Sequence, residues 1–145
     1  MIFQGFGPLL WAGTVETVKL AVLSLAASLV LGLAGAAAKL STNRACAAVG
    51  TFYTTLIRAV PDLVLMLLLF YGMQILLNDV TDLIGWDQID IDPFAAGIVT
   101  LGFIYGAYFT ETFRGAFLAV PRGQLEAGFA YGMSGWRVFR RILFP

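Results

Sequence analysis

Apolar residues in this chain gather into long runs rather than into the short alternating stretches of strands that bury one face. Leu20 to Ala38 is a run of 19 residues without a charge, bracketed by Lys19 and Lys39. As a helix it covers about 28 Å, close to the hydrocarbon thickness of a bilayer. The run predicts a first span over 15–38. Its small residues (Ala26, Ala27, Ser28, Gly32, Gly35) suit close helix–helix contact, with Gly32 and Ala36 forming a small-xxx-small step. The second run, Leu63 to Asn78, holds 16 residues between Asp62 and Asp79, and the mainly apolar Thr51 to Ile57 lies just before it. Together they predict a second span over 52–78. The third run, Pro93 to Thr110, is uncharged and continues around Glu111 and Arg114. It predicts a span over 93–119, with Pro93 in the first turn, where its missing N–H costs nothing. The fold class is therefore an all-α integral membrane protein with three transmembrane helices and a polar tail over 122–145.

Composition narrows this further. Hydrophobic residues make up 59% of the chain and charged residues 12%, at a mean hydropathy of +0.85. That is too little charge to disperse a soluble helical domain. Net charge is zero, so nothing points to nucleic acid. With one cysteine, Cys46, and no histidine, neither an internal disulfide nor a cysteine–histidine metal site is expected. No Lys or Arg precedes Lys19, so the basic start of a secretory signal is missing and the first apolar segment is expected to be retained.

The distribution of charge sets an orientation. Segment 79–92 carries Asp79, Asp82, Asp87, Asp90 and Asp92 and no basic residue, whereas 39–50 carries Lys39 and Arg44 and no acid. Arg122, Arg137, Arg140 and Arg141 follow the third span against the single acid Glu126. The positive-inside rule places the N-terminus and 79–92 outside, and 39–50 and 122–145 in the cytoplasm. The five outer acids fit two readings, contact with an external protein or the orientation rule alone.

The tail reads RGQLEAGFAYGMSGWRVFRRILFP. It predicts a helix from about Gly123 to Tyr131, ended by Gly132 in the left-handed region, and a second helix capped by Ser134. On that second helix Trp136, Phe139 and Leu143 share one face, and Arg137, Arg140 and Arg141 the other. Amphipathicity alone leaves two uses open, docking on a partner protein or lying on anionic lipid.

The string resembles the EAA loop of binding-protein-dependent ABC permeases. Glu126, Ala127, Gly132, Ile142 and Pro145 stand at the motif positions, while Gly128 replaces its second alanine and Phe144 its leucine. The stretches TLIRAVPDLVLMLLLFYGMQ, QIDIDP and GFIYGAYFTETFRGAFLAVPRGQ are similar to the polar-amino-acid branch, in particular the Q-type subunit of histidine and lysine–arginine–ornithine importers. The resemblance implies a non-enzymatic transport subunit working by alternating access. Its partners would be a second permease subunit (M-type or identical), a cytoplasmic ABC ATPase dimer, a periplasmic amino acid-binding protein and the lipid bilayer. The loop, with Glu126, Ala127, Gly132, Arg137, Ile142 and Pro145, would couple to the ATPase. No cofactor is expected on this chain, which has no GxxxxGK[ST] phosphate loop; ATP and Mg would sit on the ATPase. The family has five spans, two of them after the loop, so the chain is expected to be the N-terminal part of a longer protein.

Ionisable residues within apolar spans mark functional positions by default. Glu111 and Arg114, with Tyr108 on the same face, form a candidate substrate path; the preferred reading is a structural Glu111–Arg114 pair at i, i+3 near the inner boundary. Arg58, Pro61 and Asp62 form a candidate hinge, with an Arg58–Asp62 bridge across one turn as the plainer alternative. Two rival functions remain at this level. One is an ion-coupled carrier in which Glu111 relays a proton, and the other an anchoring or assembly subunit without a substrate path.

Overall fold

A computed structural model describes residues 6–144. The described residues are helical, with no strand among them. Helix α1, Gly7–Leu40, has Pro8 in its first turn and stops where Ser41 turns extended and donates its N–H to Ala38. At about 51 Å it exceeds the membrane core, so it begins well ahead of the expected 15–38.

The second apolar segment departs from the sequence reading. Instead of one helix over 52–78, the chain forms α2, Arg44–Ala59, and α3, Asp62–Ile84. Pro61 is the cause. Its ring bars the preceding residue from helical geometry, and Val60 is extended at φ −108°, ψ 139°. Helix α2 starts from Asn43, whose side chain accepts from the Ala45 N–H at 2.9 Å. Helix α3 ends at Gly85, φ +76°, where the Gly85 N–H bonds Asp82 and the Trp86 N–H bonds Thr81 in a Schellman closure.

Helix α4, Pro93–Ala119, is capped by Asp92, which accepts from the Ala95 N–H at 2.9 Å. Among the described residues, helices α1, α3 and α4 are the three that are long and apolar enough to cross a membrane. Beyond Pro121 come α5, Arg122–Ala130, and α6, Gly135–Val138, which continues as a π-helical turn over Phe139–Leu143.

Helices α1 and α4 form the tightest pair. Gly97 faces Leu20, Gly102 faces Ala27, Gly106 faces Leu31, and Gly32 and Gly35 face Phe109 and Thr110. The numbers rise together on both helices, so the two run parallel. The approach depends on small residues: a Cβ on Gly32 would lie 2.5 Å from the Cβ of Phe109, and one on Gly102 2.9 Å from that of Ala27. A second contact centre joins α2, α3 and α4 through Ile57, Leu65, Ile104 and Ala107, flanked by Tyr53, Met66 and Tyr108. Outward faces of all three long helices stay apolar and uncovered, among them Val22, Val30, Leu68, Ile75, Leu76 and Val99. Such faces suit contact with lipid or with further apolar helices.

Candidate functional site

Two groups of residues carry candidate function, the tail and a set of polar side chains between the helices. The tail is shaped by Gly132. Its φ of +76° suits the one residue without a Cβ, and the Schellman pair follows, with the Gly132 N–H bonding Phe129 at 2.9 Å and the Met133 N–H bonding Gly128 at 3.1 Å. Those bonds turn the chain sharply between α5 and α6. Gly128 is buried where the two meet, and a Cβ there would lie 2.7 Å from Ile142 Cδ1 and 3.2 Å from Val138 Cγ2. The departure from the motif's second alanine therefore sits at the closest approach of the two helices.

Glu126, Ala127 and Arg137 are exposed on this unit, and Ile142 is half-buried. Pro145 lies outside the described residues. Ser134 takes the N-cap position with extended backbone, but its side chain makes no capping bond. The aromatic face also differs in detail. Trp136 stacks on Phe139 at 5.6 Å, and Phe144, not Leu143, continues the row at 5.8 Å. The π turn is the reason: the Phe144 N–H bonds Phe139, which brings residues five apart together. Leu143 and Phe144 both line a cleft of about 690 Å³ with Leu29, Leu33, Phe113 and Phe117. Tyr131 is 87% exposed and Trp136 68%, and Phe129 and Phe144 are exposed too, so this segment outside the spans presents several aromatic side chains.

Between the helices, the expected pairings are rearranged. Glu111 takes Lys39 of α1 as its near partner, and Arg114 lies 3.9 Å from the other carboxylate oxygen. The same Lys39 ammonium donates to Thr54 Oγ1 at 3.0 Å, so α1, α2 and α4 meet at one point. The Lys39 and Glu111 side chains are only 11% and 23% exposed. Glu111 is thus engaged by a cation of the chain itself, which favours a structural role over a free substrate contact.

Arg58 and Asp62 do not bridge, because the helix breaks between them at Val60–Pro61. Both turn to Tyr108 instead. The Tyr108 hydroxyl donates to Asp62 Oδ1 at 2.8 Å, and the Arg58 guanidinium lies 5.7 Å from the Tyr108 ring centroid. The candidate hinge and one member of the candidate substrate path therefore form a single cluster that ties the start of α3 to α4.

Comparison with known proteins now has a geometry to meet. Residues 16–145 match the family described as binding-protein-dependent transport system inner membrane component. The chain belongs to that family. It is 60% identical over 144 residues to the histidine/lysine/arginine/ornithine transport system permease protein of Salmonella typhimurium, covering 99% of this chain and 63% of that protein. An octopine transport system permease protein of Rhizobium radiobacter is 38% identical over 98% of the chain and 62% of its own length. A solved amino acid ABC transporter, crystallised with histidines, superposes with a TM-score of 0.74 at 30% identity over 97% of this chain and 60% of that one. The chain thus spans a little under two thirds of each relative.

Sequence reasoning used Lys39 only to mark the end of a span and the sign of a loop. Its partner is 72 residues away. Only a basic residue at a span boundary and an acid within another span hint at the contact.

Proposed function

We propose that this chain is part of the membrane-spanning permease subunit of an ATP-driven, binding-protein-dependent importer of polar or basic amino acids. The observation that carries the reading is the tail: two short helices locked at a fixed turn by Gly132, with Glu126, Arg137, Tyr131 and Trp136 exposed for a partner. The relatives named for histidine, lysine, arginine, ornithine and octopine transport support a cationic or polar amino acid as cargo. In this reading residues 39–50 and 122–145 face the cytoplasm and 79–92 the periplasm. The tail docks on a cytoplasmic ATPase dimer, which holds ATP and Mg. A second permease subunit and a periplasmic binding protein complete the assembly.

The test is uptake in cells that carry the complete permease with its ATPase and binding protein. Emptying the ATP pool while a proton gradient is held should stop uptake of labelled histidine and arginine. Uptake that continues on the gradient alone would replace this proposal with an ion-coupled carrier.

A further inference from the structure

We infer that Lys39 is a positioning residue for transport: by pairing with Glu111 it fixes α1 and α2 against α4, the helix that leads into the EAA-like tail. The inference rests on the importer reading above. Lys39 stands in the last turn of α1. Its ammonium donates at once to Glu111 on α4 and to Thr54 Oγ1 on α2. The aliphatic stem passes over Gly50, where a Cβ would lie 2.8 Å from Lys39 Cγ. Gly35, one turn earlier on α1, packs so closely on Thr110 that an added Cβ would run into the threonine hydroxyl. Lysine is therefore placed by packing on two sides before its charge is considered.

The charges then make the placement obligatory. In surroundings this poor in water, a lone ammonium or carboxylate is strongly disfavoured, and each is tolerated because the other is there. Arg114 lies 3.9 Å from Glu111 and is 40% exposed, so it is a weaker and wetter partner. The rest of the α1–α4 seam seats Leu20, Ala27, Leu31, Phe109 and Thr110 against glycines, and that packing carries no charge. The ion pair adds a directional tie that this packing lacks. Its position suits transmission: Glu111 is about 12 Å along α4 from Ala119, and only Val120 and Pro121 separate α4 from α5. A push on the tail would enter α4 and pass to α1 and α2 through this tie.

The experiment uses the complete permease assembled with its ATPase and binding protein in proteoliposomes. It reads permease abundance, ATPase retention, ATP hydrolysis and uptake of labelled amino acid. Lys39→Met and Glu111→Gln should each lower uptake about tenfold, because the near pair is lost and Glu111 keeps only the weaker Arg114, or Lys39 only Thr54. The apolar double variant Lys39→Met/Glu111→Leu removes both charges. It should recover wild-type abundance and ATPase retention, and continue to hydrolyse ATP, while uptake stays down about tenfold. Lys39→Arg keeps the charge and should hold uptake within about threefold of wild type. Full uptake in the apolar double variant would overturn the inference, since packing alone would then suffice. So would a Lys39→Arg protein of normal abundance that transports no better than Lys39→Met. A wild-type assembly that fails to retain the ATPase would instead sink the importer reading itself.

Discussion

Gly132 offers the sharpest test of the tail as a docking element. Gly132 is exposed and an added Cβ there meets nothing within 4 Å, so the first atom of a side chain introduces no clash. The cost of a substitution lies in the backbone, held at φ +76°. For an ordinary L-residue the left-handed region costs roughly 1–2 kcal/mol, and a β-branched residue stands at the upper end. At about 1.4 kcal/mol per factor of ten, Gly132→Val should lower the equilibrium ratio of native to other tail conformations roughly five- to thirtyfold. The Gly132–Phe129 and Met133–Gly128 bonds would be lost with the turn, and the α5–α6 angle with them. Asparagine tolerates this region far better, so Gly132→Asn should stay within about threefold of wild type. The assay is co-purification of the ATPase with complete permease from membranes, at ATPase concentrations below saturation, alongside permease abundance. Abundance should be normal in both variants because the spans are untouched. ATPase retention in Gly132→Val equal to wild type would refute the reasoning and return the tail to a lipid-lying amphipathic helix.

The remaining predictions concern topology and the α1–α4 seam. With Cys46 replaced, a cysteine at Asp87 should react with a membrane-impermeant thiol reagent on intact cells, and one at Ser134 only after the membrane is opened; the reverse pattern would invert the orientation. Gly32→Leu keeps the helix-forming tendency of α1 but drives a side chain into the Phe109 Cβ and backbone, 2.5 Å and 3.1 Å from an added Cβ. It should destabilise the bundle by roughly 1–3 kcal/mol, read as a lower melting temperature in detergent, and an unchanged melting temperature would contradict the close seam.

The chain's apolar runs alone determined that it crosses a membrane as helices, because a bilayer leaves backbone polar groups no partner but one another. Local chemistry likewise fixed the Gly132 turn: a glycine after nine residues of helix, followed by a polar start, has one low-energy use. The effect of Pro61 on the residue before it is local too, yet the sequence reading carried one span through it. An apolar run measures length and not continuity, and it took the fold to show the chain restarting as α3. What no local rule contained is the choice of partners. Glu111 has Arg114 three residues away, yet its near contact is Lys39, since packing through Gly35, Thr110 and Gly50 sets the lysine against it. Arg58 and Asp62 stand four apart in sequence, yet Tyr108 takes both, because the break in the helix carries them out of reach of each other and against α4. Charged side chains between helices pair with whatever tertiary packing brings within a few ångströms, and that distance is a property of the fold rather than of spacing along the chain.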